Sequence, residues 1–233
     1  YLCSRDLLLM QVFLAAAFLV HLATRDRRGI GGPLAVGLLL ALSIASKTNA
    51  LAAFVPFVLY ELLLGRRARS TRTWLRLTPV LVPWAVFLWV RLGLGFSDLG
   101  QLENDTTRST YLATQLYVHV THYLRNAAWP FLMRPLPAIE PHASLLAPGP
   151  LVGALVVCGS LAWAWLVRRR APLAAFCIAG YWGAFALTSS VQPLRYLATD
   201  YRQVGSLPYL CLGVALVLSA LLRPRAARLA FAC

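Results

Sequence analysis

Long apolar stretches alternate with short basic clusters along this chain. Residues 7–20, 34–46, 50–60, 77–90, 151–167, 171–194 and 207–222 carry no Asp, Glu, Lys or Arg, and runs of that length predict membrane helices. The ruler is a span of about 20 residues at about 1.5 Å per residue. It predicts helix A over Asp6 to Thr24, B over Ile30 to Ser46, C over Asn49 to Leu64, and D over Leu75 to Leu92. Three more follow: F over Leu151 to Val167, G over Pro172 to Leu187, and H over Gly205 to Leu222. Helices B and C taken as one would exceed about 50 Å, so a break is required, and Lys47-Thr48-Asn49 is its polar place. Pro79 and Pro83 fall inside helix D, where membrane helices tolerate kinks.

Between D and F the pattern changes. Ser97 to Ser109 carries Asp98, Glu103 and Asp105 and reads as an aqueous loop. Thr110 to Trp129 interleaves Tyr111, Leu116, Tyr117 and Tyr123 with Gln115, His119, His122 and Arg125. That amphipathic, aromatic-rich stripe predicts an interfacial helix rather than a span. Six prolines between 130 and 150 then make the chain irregular. Residues 94–150 are therefore expected to form an external loop with the interfacial helix inside it. Parity supports the assignment. With seven spans, the clusters after A (Arg25, Arg27, Arg28), between C and D (Arg66 to Arg76), after F (Arg168 to Arg170) and after H (Arg223, Arg225, Arg228) all share one side, which the positive-inside rule makes cytoplasmic. The expected fold class is an all-α polytopic transmembrane helical bundle of about seven spans plus an interfacial external helix, an integral multi-pass protein embedded in a lipid bilayer.

Composition agrees. Of 233 residues 59% are hydrophobic and 13% charged, against about 45–50% and about 25% in soluble domains. The net charge of +14 invites a nucleic-acid reading, but the arginines stand between apolar runs instead of on one soluble face, so no nucleic-acid partner is expected. The five cysteines lack CxxC spacing and sit mostly in apolar stretches, as small buried hydrophobes do. The chain opens on Tyr1, with Arg5-Asp6 ahead of the first run and neither a basic leader nor a small-residue cleavage site, so it is expected to be a piece of a longer protein.

The candidate chemistry lies on the outer side. Lys47 is the single lysine, and helix B at about 24 Å leaves it a few ångström inside the boundary. A cation there needs an anion, a wet cavity or a snorkelling route. Snorkelling is one reading. The other is a phosphate site, in which Thr48 and Asn49 cap helix C and its free amides face the same anion as Lys47. A second constellation runs from Thr188 through Arg195 to Asp200-Tyr201-Arg202. It reads either as a polar surface loop or as arginine forks for a phosphate ester, on a side that the positive-inside bias depletes of arginine. His119 and His122 share a helix face but lack an acidic partner at ligand spacing, so no metal is expected and solvated interfacial histidines are. Asn104-Asp105-Thr106 fits a glycosylation sequon, consistent with a surface loop.

Several of these segments, in order, resemble a known family. Tyr1-Leu2-Cys3-Ser4-Arg5-Asp6-Leu7-Leu8 resembles the Arg-x-x-Leu opening of the helix after the first external loop in membrane O-mannosyltransferases with tetratricopeptide repeats. Ser46-Lys47-Thr48 resembles their Ser-Lys-Glu turn. Tyr111 to Gln115, Tyr123-Leu124-Arg125 and Trp129-Pro130 resemble their long external loop. Leu187 to Ser190 with Pro193, then Asp200-Tyr201-Arg202 and Leu207-Pro208-Tyr209-Leu210, resemble their last external motif. These enzymes are GT-C glycosyltransferases. The resemblance implies transfer of a sugar, mannose or similar, from a polyprenyl-phosphate donor to a hydroxyl of a protein or glycan acceptor at the outer membrane face, in a bacterial plasma membrane, with no cofactor.

Lys47, Arg195 and Arg202 are expected to converge on the carrier phosphate, with Asp200 orienting Arg202 and Arg5 at the same site, because a cation at a water-poor membrane edge persists only when paired or solvated; the resemblance further implies that the acidic catalytic base lies upstream of Tyr1. Residues 1–233 are then part of the transmembrane region, expected to be inactive alone. Thr48 departs from the family pattern, where Glu is usual, and Glu140-Pro141-His142 replaces a more acidic stretch. The alternative reading is a non-catalytic carrier-binding membrane protein, such as a flippase or transporter subunit.

Overall fold

The computed structural model describes residues 2–27, 29–47, 50, 52, 54–65, 71–93, 107–129, 137–186 and 197–230. The described residues form helices and no strand. Their order is α1 (Leu2–Thr24), α2 (Gly31–Ser46), α3 (Phe54–Leu59) continued by a π turn (Tyr60–Leu64), α4 (Thr71–Gly93), and α5 (Arg108–Val118). A second π turn (His119–Leu124) and the short α6 (Arg125–Ala128) continue α5. Then come α7 (Pro148–Val167), α8 (Pro172–Ala186), a 3-10 segment (Asp200–Gly205) and α9 (Leu207–Ala230).

Local chemistry sets several ends. The Thr107 hydroxyl caps α5 by accepting from the Thr110 amide at 3.2 Å. Pro148 opens α7, where a missing amide proton costs nothing. Lys47 ends α2 in extended backbone. α3 begins at Phe54, and Ala50 and Ala52 ahead of it have 3-10 geometry, within the helix expected from Asn49. The proposed amides at Thr48 and Asn49 lie outside the described residues.

Three helical stretches are long and apolar enough to cross a membrane: Arg5–Thr24, Thr73–Val90 and Pro148–Val167. Four shorter apolar ones accompany them: Gly31–Ser46, Phe54–Leu64, Pro172–Phe185 and Leu207–Leu222. Leu8, Leu19, Leu38, Trp89, Leu155 and Leu166 are exposed on the outside of the bundle, a surface that hydrocarbon solvates and water does not.

Two cores hold the bundle together. One joins α1, α2, α3 and α4 through Met10, Ala17, Val36, Leu40, Phe57, Leu77 and Val80. The other joins the α5 to α6 arm with α8 and α9 through Val118, Tyr123, Phe176, Tyr181, Phe185 and Tyr209. Phe18 bridges them, edge-on to Phe57 at 5.4 Å and stacked on Phe176 at 6.3 Å. Close crossings depend on glycine, as in membrane bundles generally. A β-carbon on Gly37 would lie 3.0 Å from the Pro79 carbonyl of α4, and one on Gly153 of α7 would run into the Leu116 carbonyl of α5.

Candidate functional site

The polar residues of α5 to α6 face inward. Thr114, Gln115, His119, His122 and Asn126 are buried, and the chain returning at 197–206 supplies partners for this face. Gln115 Nε2 donates to the Leu197 carbonyl at 2.6 Å. Arg202, 4% exposed, donates from Nη1 to the Tyr111 hydroxyl and to the Leu197 carbonyl, each at 3.3 Å. Gln203 Nε2 donates to the Tyr123 carbonyl at 2.8 Å, and the Thr199 amide donates to the Tyr123 hydroxyl at 3.4 Å. The segment is tied on its other side to α1, where Gln11 Nε2 donates to the Val204 carbonyl at 3.1 Å. Gln115 Oε1 and Thr199 Oγ1 are buried without a hydrogen-bond partner among the described residues, so the network retains one acceptor and one hydroxyl for a further polar group.

Of the residues expected from sequence, Arg202 is therefore buried and clamped rather than displayed on a loop. Asp200 begins the same 3-10 segment, while Arg195 lies outside the described residues, as does the Asn104 sequon. Lys47 is half-buried just past α2, and Arg5 is exposed within the early turns of α1. Val204 packs against the core that contains Met10, Ile44 and Ala50. The Lys47 turn and the Arg202 segment thus reach the same end of the bundle, although 155 positions separate Lys47 from Arg202.

The solvated histidines are corrected. His119 is buried with Phe185 at 4.7 Å, Trp182 at 5.3 Å and Tyr123 at 5.6 Å between ring centroids. His122 is buried beside Asn126, whose Nδ2 lies 3.3 and 3.5 Å from the two ring nitrogens. His142 packs on Tyr117 at 4.4 Å, and its amide donates to Thr114 Oγ1 at 2.8 Å. The helix has its polar side against the 197–206 segment, where carbonyls and hydroxyls satisfy it better than a lipid boundary would. No group of three metal-ligating side chains occurs among the described residues.

A second polar cluster escaped the sequence reading. Glu61, 3% exposed, lies in the first π turn with Oε1 3.0 Å from His21 Nε2 and Oε2 3.2 Å from Arg25 Nη2. Arg25 Nη1 also donates to the Tyr60 hydroxyl at 3.0 Å, and its guanidinium lies 5.0 Å from the Tyr60 ring centroid. The cluster joins the end of α1 to the start of the π turn, at the arginine-rich end of the bundle. Its sequence signal was a lone carboxylate in an apolar run, which in a membrane requires a cation nearby; His21 and Arg25 are that cation's candidates in the adjoining helix and loop.

No family model, curated protein or solved structure matches this chain.

Proposed function

We propose that this chain is the membrane part of a GT-C glycosyltransferase that moves a sugar from a polyprenyl-phosphate carrier to an acceptor hydroxyl at the far, arginine-poor face. The carrying observation is the union of residues 110–129 with 197–210, two segments that resemble the external motifs of the O-mannosyltransferases. They meet through Arg202 with Tyr111, Gln115 with Leu197, and Gln203 with Tyr123. Motifs of one enzyme are expected to meet in space, because a phosphate leaving group and an acceptor must be held within reach of each other.

In this reading all seven apolar helices span a bacterial plasma membrane and the α5 to α6 arm lies at its outer boundary. Tryptophans support the levels: Trp74 begins α4 and Trp163 and Trp165 end α7 at the arginine-rich end, with Arg168 over the Trp165 ring at 3.6 Å. Trp89 and Trp129 are exposed toward the other end. Such aromatic pairs of belts mark bilayer boundaries. A cleft of about 300 Å³ between α1, α8 and α9, lined by Leu14, Phe18, Phe176, Gly205, Pro208 and Leu212, leads from the Arg202 segment into the apolar layer and suits the isoprenoid chain. Lys47 and Arg202 neutralise the carrier phosphate, and an acidic base takes the acceptor proton.

Binding of a polyprenyl-phosphate sugar to the chain in nanodiscs tests this. Lys47→Ala is expected to weaken binding about tenfold, the scale of one charge-assisted contact of about 1.4 kcal/mol, and Lys47→Arg to restore it in part because a fork replaces a point charge. Unchanged binding in Lys47→Ala removes the phosphate site from this turn.

A further inference from the structure

Two basic clusters at the arginine-rich end treat their charges differently. After α1, Arg25 is answered from within the chain, by Glu61 at 3.2 Å and by the Tyr60 hydroxyl at 3.0 Å. After α7 stand Arg168, Arg169 and Arg170 in a row. Arg168 closes its own helix: its guanidinium lies over the Trp165 ring at 3.6 Å and its Nη1 donates to the Trp165 carbonyl, which is where a helix end favours a cation. Arg169 and Arg170 are exposed, and their side chains have no hydrogen-bond or ion-pair partner among the described residues.

This turn lies at the edge of an apolar layer. α7 is long and apolar enough to cross a membrane, and Trp163, Trp165 and Leu166 in its last turn are 50%, 64% and 76% exposed. Apolar surface of that kind needs hydrocarbon around it, and tryptophan next to arginine marks the headgroup level. The amides of Arg170 and Ala171 both donate to the Val167 carbonyl, at 2.9 and 2.8 Å, so the chain folds straight back into α8. All three arginines therefore stay within about 6 Å of helical rise from Leu166. Whatever answers Arg169 and Arg170 must be anionic and must carry its charge at the boundary of the apolar layer. The phosphate diester of a glycerolipid does both, since its oxygens accept paired N–H bonds from a guanidinium fork while its acyl chains cover Leu166 and Trp163. A zwitterionic lipid brings its own cation to the same place, and a soluble polyanion leaves the apolar side chains uncovered.

We propose that the turn between α7 and α8 binds an anionic phospholipid of the leaflet on the arginine-rich side, with its phosphate held by Arg169 and Arg170 and an acyl chain against Leu166 and Trp163. Arg168 and Trp165 fix the helix end beneath that headgroup. The site is at the opposite end of the bundle from Lys47 and Arg202, and the proposal stands without the glycosyl-transfer reading.

Native mass spectrometry of the whole chain, released from nanodiscs of equimolar phosphatidylglycerol and phosphatidylcholine, tests this through the ratio of the two lipids retained. The parent is expected to favour phosphatidylglycerol. Arg169→Gln combined with Arg170→Gln should lower the ratio about 25-fold, about fivefold for each arginine at a charged membrane surface. Arg108→Gln removes an equally exposed arginine at the start of α5, far beyond the screening length from the α7–α8 turn, and should leave the ratio within about twofold. An equal ratio in the parent, a preference that survives the double substitution, or a loss in Arg108→Gln as large as in Arg169→Gln overturns the proposal. So does displacement of phosphatidylglycerol by equimolar polyprenyl phosphate or by soluble polyphosphate, which would give the turn to the carrier or to a soluble polyanion. Should the double variant insert poorly, the single variants decide, and no loss in either overturns the proposal.

Discussion

Around Glu61 the polar groups are charged, few and near one another in the fold, whereas around Arg202 they are mostly neutral, many and drawn from distant parts of the chain. The Glu61 carboxylate has both oxygens engaged, by His21 and by Arg25, within a patch no larger than one helix end against another. The Arg202 network instead uses amides, hydroxyls and carbonyls from 111 to 126 and from 197 to 206. A buried ion cluster is all or nothing, since deleting one member strands the others in a low dielectric. A network of neutral bonds loses one modest increment at a time. The first kind suits a fixed helix junction, and the second suits a site that must accept a further polar group.

Substitutions at the two ends test that contrast. Glu61→Ala leaves Arg25 and His21 without their carboxylate and is expected to destabilise the chain by about 3–5 kcal/mol, read as a shift in unfolding by sodium dodecyl sulfate from mixed micelles. A loss below about 1 kcal/mol, the level of an exposed pair, would show that the cluster is solvated and erase the contrast. Gln203→Ala removes one neutral bond to the Tyr123 carbonyl and is expected to cost about 1 kcal/mol by the same unfolding assay. A cost equal to that of Glu61→Ala would mean that the far end also behaves as a single unit. The smallest effect sharpens the picture: Tyr111→Phe combined with Glu61→Gln should be additive within about 0.3–0.5 kcal/mol, as for separated sites. His21 lies ten positions beyond Gln11 on α1, about 15 Å by the helical rise, and Gln11 already contacts the Arg202 segment through Val204. Larger coupling would show that α1 transmits strain between the ends.

Much of the fold was legible in the hydrophobic runs. Each predicted span corresponds to an apolar helix, and the ends of α1, α2, α7 and α8 fall within a few residues of expectation, because burial in hydrocarbon and a backbone that must satisfy itself leave few alternatives. The stretch from 108 to 128 was legible as a helix but not in its orientation. Periodicity reports that one side is polar and cannot say whether water, lipid headgroups or another segment meets it. His119 is buried against Trp182 and Phe185 of α8, more than 60 positions away. Glu61 was visible as a lone acid, yet its pairing with His21 and Arg25 required the π turn and the α1 to α3 packing, which no local pattern encodes.

The amino-acid order by itself determined which stretches are apolar enough to leave water, where the basic clusters interrupt them, and where Lys47, Asp200 and Arg202 fall between helices, since these follow from transfer free energies of single side chains. Tertiary structure decided what each buried polar group meets. It turned Arg202 onto Tyr111 and Leu197, set Glu61 between His21 and Arg25, and buried the Tyr181 hydroxyl. Hydrogen bonds and ion pairs depend on ångström distances between residues far apart in the chain, and those distances exist only once the helices have packed.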